Sequence, residues 1–419
     1  MQETNMQKIL TSIFTVSAFV AVAGFVSLEV LNVQEAQHFA RPKTTEITNE
    51  PIEKEPIVEH VEKPKAVKAI YMSQCAATSD SFRKSLFEIT DETEINSIVV
   101  DIKDYTGSVV FPSGITEKGG GGCQAPDFRE FVKEMHDRGI YVIGRVTVFQ
   151  DPLYTEKYPQ WAVKKASATS TVWTDYKGLS FVDVGAEPFW DYILEVSREA
   201  IALGVDEINF DYIRYPSDGN MSDIYFEHSS YDDRSGELER FFRYISDKLR
   251  NPPEGEYKPV LSADLFGMTA TNYDDLTIGQ VLERTLPYFD YVAPMVYPSH
   301  YPPNFNGWAN PNDNVYGVIK FSMDRAIPRA VGTTTPIFSY AYKRMGTSTP
   351  ATYIKPSYDK NVLRPWLQDF DYGGDYGVEE VRAQIQAAYD AGLNSWMLWD
   401  PSNRYTRAAL EPETESIVE

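Results

Sequence analysis

The sequence predicts an α/β chain folded as a (β/α)8 TIM barrel, and three observations carry that prediction. Eight short β-branched or apolar runs recur between residues 69 and 399. Stretches with helical spacing lie between most of them, and strands alternating with helices imply a parallel sheet. No glycine fingerprint leads from a strand into a helix, so a doubly wound open sheet lacks support.

In order, the first run is 69–76 (AIYMSQCA), followed by an amphipathic stretch at 80–89. The second is 95–103 (INSIVVDIK), a β-branched strand. Helical spacing then covers 127–138, with Gly139 as its stop. The third strand is 140–149 (IYVIGRVTVF). A helix at 188–203 ends at Gly204, and the fourth strand is 205–213. Helix 238–249 leads to the fifth strand, 260–266 (VLSADLF). Helix 278–286 leads to the sixth, 291–297 (YVAPMVY). Helix 315–330 precedes the seventh, 362–370 (VLRPWLQDF), which reads as a strand despite Pro365. Helix 378–391 precedes the eighth, 394–399 (NSWMLW). Segment 331–361 reads as a long loop with one hairpin, and 151–179 as a second long loop. Both are candidates to shape a substrate site. The run of four glycines ending at Gly122 lacks a following Lys-Ser pair, so it reads as a flexible loop rather than a phosphate cradle.

Ahead of the barrel, Lys8 precedes an uncharged stretch, 9–28, that Glu29 ends. Its twenty residues are long enough to span a bilayer. Alternatively, 9–20 is the apolar core of a signal peptide and Ala21-Val22-Ala23 its cleavage site. Apolar residues continue past that site, which favours an uncleaved anchor. Either reading exports the remainder. The expected organisation is a signal peptide or anchor at 1–33, a disordered linker rich in proline and charge at 34–66, the barrel at 67–410 and a tail at 411–419. Cys75 and Cys123 would then meet an oxidising compartment, where they either pair or remain free thiols.

The net charge of −22 excludes nucleic acid as a natural partner. Five histidines and two cysteines without metal-ligand spacing give no multi-histidine zinc site, so neither metal nor cofactor is expected. A metal-dependent deacetylase would need those histidines. Chemistry falls to the carboxylates, and the 27 tyrosines and 7 tryptophans supply flat amphipathic faces that suit sugars as well as cores.

In a barrel the active site sits at the C-terminal ends of the strands, and side chains alternate in and out. In EINFDYIRYPSD (207–218), Glu207, Asn209 and Asp211 share one face, while Ile208, Phe210 and Tyr212 share the other. The polar face points inward with Asp211 near the top. Asp264 reaches a matching height on the fifth strand. Asp211 is either half of a structural ion pair with Arg145 or Arg214, or a catalytic group; the adjacent Asp264 favours catalysis. Adjacent strands lie about 4.8 Å apart, which favours closely spaced carboxyls and retention of configuration. Asp101 and Lys103 share a face, as do Arg145 and Thr147. Asp101 either binds a sugar hydroxyl or pairs with Lys103 or Arg145. Tyr297 and His300 either hold hydroxyls or pack. Trp366 and Trp399 either stack on sugar rings or fill the core. Gln368 either bonds substrate or caps a loop.

The motifs VVDIKDYTGSV (99–109), GRVTVFQD (144–151), EINFDYIRYPSDG (207–219), SADLFG (262–267), APMVYPSHY (293–301), RPWLQDF (364–370) and QIQAAYDAGLNSWMLWDPSNRYT (384–406) resemble a family of bacterial (β/α)8 proteins known as putative glycosyl hydrolases. The resemblance runs from about 67 to 407 and implies glycosidase chemistry on a carbohydrate. More distantly, the pattern is similar to the α-amylase-like clan, which implies Asp211 as nucleophile and Asp264 as acid/base. Asp264 stands where that clan has glutamate, so its arm is one methylene shorter. Chitinase-like barrels need a glutamate two positions after Asp211; Ile213 stands there. Two functions therefore compete: an exported, surface-tethered glycoside hydrolase, and a catalytically inactive carbohydrate-binding barrel of the cell envelope.

Overall fold

The computed structural model describes residues 58–115 and 122–412. The expected anchor or signal segment, most of the linker, three of the four glycines ending at Gly122 and the end of the tail lie outside these residues. Among the described residues no helix is long and apolar enough to cross a membrane.

Eight parallel strands close into a barrel in chain order. They are β1 (Lys68–Met72), β2 (Ser97–Lys103), β3 (Tyr141–Thr147), β4 (Glu207–Asp211), β5 (Val260–Phe266), β6 (Tyr291–Met295), β7 (Trp366–Gln368) and β8 (Trp396–Trp399). Closure is made where Lys68, Ala69 and Ile70 of β1 pair with Trp396, Met397 and Leu398 of β8. Every residue of β2, β3 and β4 is buried, as expected of strands covered on both faces. Ile208 and Phe210 point out into the core shared with the helices. Tyr71, Val99, Tyr141, Ile143, Tyr297, Trp366 and Met397 point in and form a separate inner cluster. Near the floor of the barrel the buried Glu207 is held by the Arg364 guanidinium, Tyr141 and Ser262. The inner face of β4 is polar because these partners meet its charge.

The helices are α1 (Asp80–Glu92), α2 (Phe128–Asp137), α3 (Glu187–Ala202), α4 (Arg234–Arg250), α5 (Leu282–Thr285), α6 (Val315–Val331) and α7 (Val378–Asp390). Helix α4 starts earlier than its apolar spacing predicts because Asp233 caps it, accepting from the Gly236 amide at 3.1 Å. The expected helix at 278–286 shrinks to the four residues of α5. Leu276, Thr277 and Gly279 all have positive φ, which no helix accommodates. The first run stops at Met72, where Ser73 caps a short helix, Gln74–Ala77. The seventh run is a strand only at Trp366–Gln368, since Pro365 brings no amide to the ladder.

Segment 331–361 is not one hairpin but three two-residue antiparallel strands. It packs on the outside of the barrel, where Ser339 and the Tyr340 amide bond Glu239 of α4. The loop after β3 carries a short helix, Pro152–Lys157, and a hairpin of Lys164–Lys165 with Ala168–Val172. The folded unit also begins before residue 67: His60 stacks on Tyr257 with ring centroids 3.5 Å apart. Cys75 and Cys123 are joined in a disulfide, with Cα atoms 4.9 Å apart.

Candidate active site

Arg145, on the inner face of β3, organises the mouth of the barrel. Its Nη1 donates to Asp101 Oδ1 at 2.5 Å. Its Nε donates to Asp211 Oδ2 at 3.1 Å, and Nη2 bonds the same oxygen. Asp264 Oδ2 lies 3.9 Å from Nε. One guanidinium thus faces three carboxylates from β2, β4 and β5. Burial opposes its charge, but the carboxylates of Asp101 and Asp211 outweigh that and hold it protonated. Its flat face lies 4.9 Å from the Trp399 ring centroid, and Trp399 stacks on Tyr71 at 3.8 Å.

The two outer carboxylates differ in their surroundings. Asp211 receives only donors: the two Arg145 nitrogens, and the Tyr212 amide on Oδ1 at 2.5 Å. Asp264 Oδ1 accepts from Asn209 Nδ2 at 2.9 Å and from Trp366 Nε1 at 2.8 Å. Its pKa is pushed up to about 8, first by burial and then by the Asp211 charge; Arg145 offsets only part. Oδ1 is taken by two donors, which leaves Oδ2, 3.9 Å from Arg145 Nε, as the oxygen that would carry the proton of the neutral acid.

Above this floor opens a cavity of about 380 Å³. That is within the usual range for small-molecule sites, ~300–1,000 Å³. Arg145, Asp211, Asp264, Tyr297, His300, Trp366 and Trp399 all line it, so the structure brings these seven predicted residues together. Tyr297 and His300 meet edge to face, with centroids 5.3 Å apart. The Tyr297 phenol is held protonated by burial and by the charges of Asp264 and Asp211.

Four predicted residues do not line the cavity. Asp101 is buried behind Arg145 and accepts from Tyr71 at 2.5 Å. Asn209 is buried beneath Asp264, bonding it and Ser262. These two hold the residues above them. Lys103 corrects the expectation that it shares a face with Asp101. The β2–β3 register shifts between those two residues, so Lys103 pairs with Val146 rather than Thr147. A one-residue bulge reverses the face a side chain takes. Lys103 consequently leaves the barrel interior for a fully buried ion pair with Asp151, 2.9 Å away. Gln368 is also fully buried; its carbonyl accepts from Ser299 Oγ at 2.8 Å and its amide donates to Phe370 O at 2.9 Å. It caps the loop that presents His300.

Several lining residues escaped the sequence pattern: Tyr212, Arg214, Phe266, Met268 and Tyr301. Tyr212 was assigned to the outer face by alternation. Its φ of 51° takes the chain out of the strand and its ring into the cavity wall. A left-handed, non-glycine aromatic beside a buried carboxylate is the kind of backbone outlier that clusters at functional sites. Tyr71, which bonds Asp101 and stacks on Trp399, was also missed, although it shares the inner face of β1 with Ala69.

A family model described as "Putative glycosyl hydrolase domain" matches residues 69–405. Among solved structures, the glycoside hydrolase domain of PgaB (BpsB) from Bordetella bronchiseptica aligns over 83% of this chain and 100% of its own, at 12% identity and a TM-score of 0.56. Alpha-L-fucosidase isoenzyme 2 from Paenibacillus thiaminolyticus aligns over 82% of this chain and 47% of its own, at 13% identity and a TM-score of 0.50. A hypothetical protein from Ruminiclostridium thermocellum is 29% identical over 46% of this chain and 96% of its own, with a TM-score of 0.38. No curated protein matches. At such identities the first two likenesses show the barrel fold alone, whereas the family match covers most of the chain and every residue of the cavity floor. The chain therefore belongs to the family described as "Putative glycosyl hydrolase domain".

Proposed function

We propose that the protein cleaves glycosidic bonds of an oligo- or polysaccharide with Asp211 as nucleophile and Asp264 as acid/base, retaining anomeric configuration. The observation that carries this reading is the unequal pair: two carboxylates at one guanidinium, of which Asp264 is pushed to about 8. In the first step the Asp264 Oδ2 proton passes to the glycosidic oxygen as its bond to the anomeric carbon breaks. Asp211 attacks that carbon and forms a glycosyl ester. In the second step water attacks the anomeric carbon, whose bond to the Asp211 oxygen breaks, and the water gives a proton to Asp264, which restores both groups. Arg145 Nε lies 3.1 Å from one Oδ2 and 3.9 Å from the other, so those oxygens stand at most about 7 Å apart. That ceiling leaves out most of the ~6.5–9.5 Å range of inverting sites.

Export and tethering belong to the same reading. They are supported by the uncharged stretch 9–28 and by the Cys75–Cys123 disulfide, a bond that persists in oxidising compartments.

One observation favours the rival, non-catalytic carbohydrate-binding barrel. Arg145 holds Asp211 through two nitrogens, as in a structural ion pair. The deciding experiment is hydrolysis of a panel of bacterial envelope and plant polysaccharides by the full chain, beside Asp211→Asn and Asp264→Asn. Cleavage by the wild type and a loss of at least about 10³-fold in both folded variants is the expected result. Cleavage that survives Asp211→Asn overturns the assignment. Binding without cleavage by all three establishes the rival. Proton NMR of the first-formed anomer reports the stereochemistry, and an inverted product would refute retention.

A further inference from the structure

The cavity over Asp211 and Asp264 does not end at Tyr212 and Arg214. A second cavity of about 270 Å³ opens on the far side of these residues. Tyr212, Arg214 and Asp218 line both, so the two cavities share a wall. The wall is held rigid. The Arg214 guanidinium lies 4.8 Å from the Tyr212 ring centroid and 4.9 Å from that of Phe266, and it donates to Tyr215 O and Ser217 Oγ at 3.1 Å. On the far side the lining comes from the loops after β2 and β3: Tyr105, Gln150, Asp175, Lys177 and Phe181. The Asp175–Leu179 turn is fixed by Asp175 Oδ1, which accepts from the Lys177 and Leu179 amides at 2.8 Å. Tyr105 is half-exposed at 50%, and Tyr176 of that turn stands out at 78%.

The chemistry of this second lining is balanced. Two cations face two carboxylates, a carboxamide supplies a donor and an acceptor, and tyrosine faces lie open at the rim. Such a lining has no net charge to select an ion. Donors, acceptors and flat apolar faces together match an uncharged polyhydroxylated chain.

We propose that the cavity beyond Tyr212 and Arg214 is a second saccharide-binding subsite, so that the substrate is an uncharged glycan chain crossing the mouth from Trp399 toward Tyr105. This rests on the catalytic reading for the position of the cleaved bond, and on the shared wall for the continuity of the cleft. It makes the enzyme one that needs several linked sugars and gains little from a disaccharide.

The test measures retention of full-length Asp211→Asn on an immobilised panel of neutral di- and hexasaccharides: cello-, malto-, xylo- and N-acetylchito-oligosaccharides. Tyr105→Ala and Lys177→Ala are introduced into the same background, with Tyr105→Phe as the conservative control. At least one hexasaccharide should be retained more tightly than its disaccharide. Tyr105→Ala and Lys177→Ala should each weaken hexasaccharide retention by about five- to tenfold and leave the disaccharide unchanged, and Tyr105→Phe should retain the hexasaccharide like the parent. Retention that is independent of chain length, a length effect indifferent to Tyr105 and Lys177, or no retention of any glycan would overturn the subsite. Thermal melts that match the parent exclude misfolding as the cause of a loss. If the wild type cleaves nothing while the length dependence holds, the catalytic reading falls and the subsite stands.

Discussion

Asp264 makes the residue-scale chemistry testable through pH. Its anion is disfavoured by burial and by the neighbouring Asp211, and its pKa is pushed up to about 8. If Asp264 is the acid, kcat/KM falls as pH rises through about 8, because the proton needed by the leaving group is gone. The same shift has a stability sign. A carboxyl whose folded pKa lies above its unfolded value of about 3.9 contributes fully below that value, and the contribution is lost as pH rises through the folded one. Asp264→Asn carries no such loss, and Asn Oδ1 can still accept from Asn209 and Trp366. Its melting temperature relative to wild type should therefore climb between about pH 4 and pH 8 and then level off, while activity is absent throughout. A flat difference across that window would place the titration elsewhere. Asp211, Asp264 and Arg145 were legible in the sequence because strand alternation alone sets the face of a residue inside a regular strand. Tyr212 was not, because its left-handed backbone at the strand end breaks the alternation that would have placed it.

At the scale of the element, the bulge in β2 decides what Lys103 does. An alternating β2 would put Lys103 beneath the mouth; the shifted register sends it to Asp151, with neither side chain exposed. Lys103 Nζ also donates to Thr147 O at 2.7 Å, which ties the end of β2 to the end of β3. Lys103→Met leaves the Asp151 carboxylate buried without its cation and should cost about 3–5 kcal/mol in urea unfolding. Lys103→Met with Asp151→Leu removes both charges and should recover most of that loss, with KM unchanged in any active variant. A raised KM in a stable Lys103→Met would return the residue to the substrate. All eight strands could be read from sequence because β-branched or apolar runs between turn signals mark buried parallel strands. A bulge carries no such mark, since one extra residue leaves the composition of the run unaltered. The outer position of segment 331–361 was equally hidden: its anchor, Glu239, lies a hundred residues away on α4.

At the scale of the whole molecule, the chain enters the barrel from the floor, opposite the mouth. The Val61 amide donates to Asp206 Oδ1 at 2.9 Å just ahead of β4. His60 lies 3.3 Å from the same oxygen, and Ala66 O accepts from Asn96 ahead of β2. Composition made 34–66 look like a continuous linker, because proline and charge mask three or four contacts that depend on a distant partner. Burial pushes the Asp206 carboxyl up, but bonds from His136, His60 and the Val142 amide outweigh it and hold the pKa below its ordinary value. A depressed carboxyl contributes stability that is present above the unfolded pKa of about 3.9 and is lost as pH falls through the folded value. A chain beginning at Val67 lacks His60 and Val61 and leaves part of Asp206 without its donors. Compared with one beginning at Val58, it should be less stable by about 1–3 kcal/mol at pH 7. The deficit should shrink as pH falls below about 4, where the protonated carboxyl no longer needs those partners. Urea unfolding of the two chains at pH 7 and pH 3 measures both quantities. Equal stability at pH 7 would mean that residues 58–66 lie along the floor without holding it, and the folded unit would then begin where composition alone had placed it.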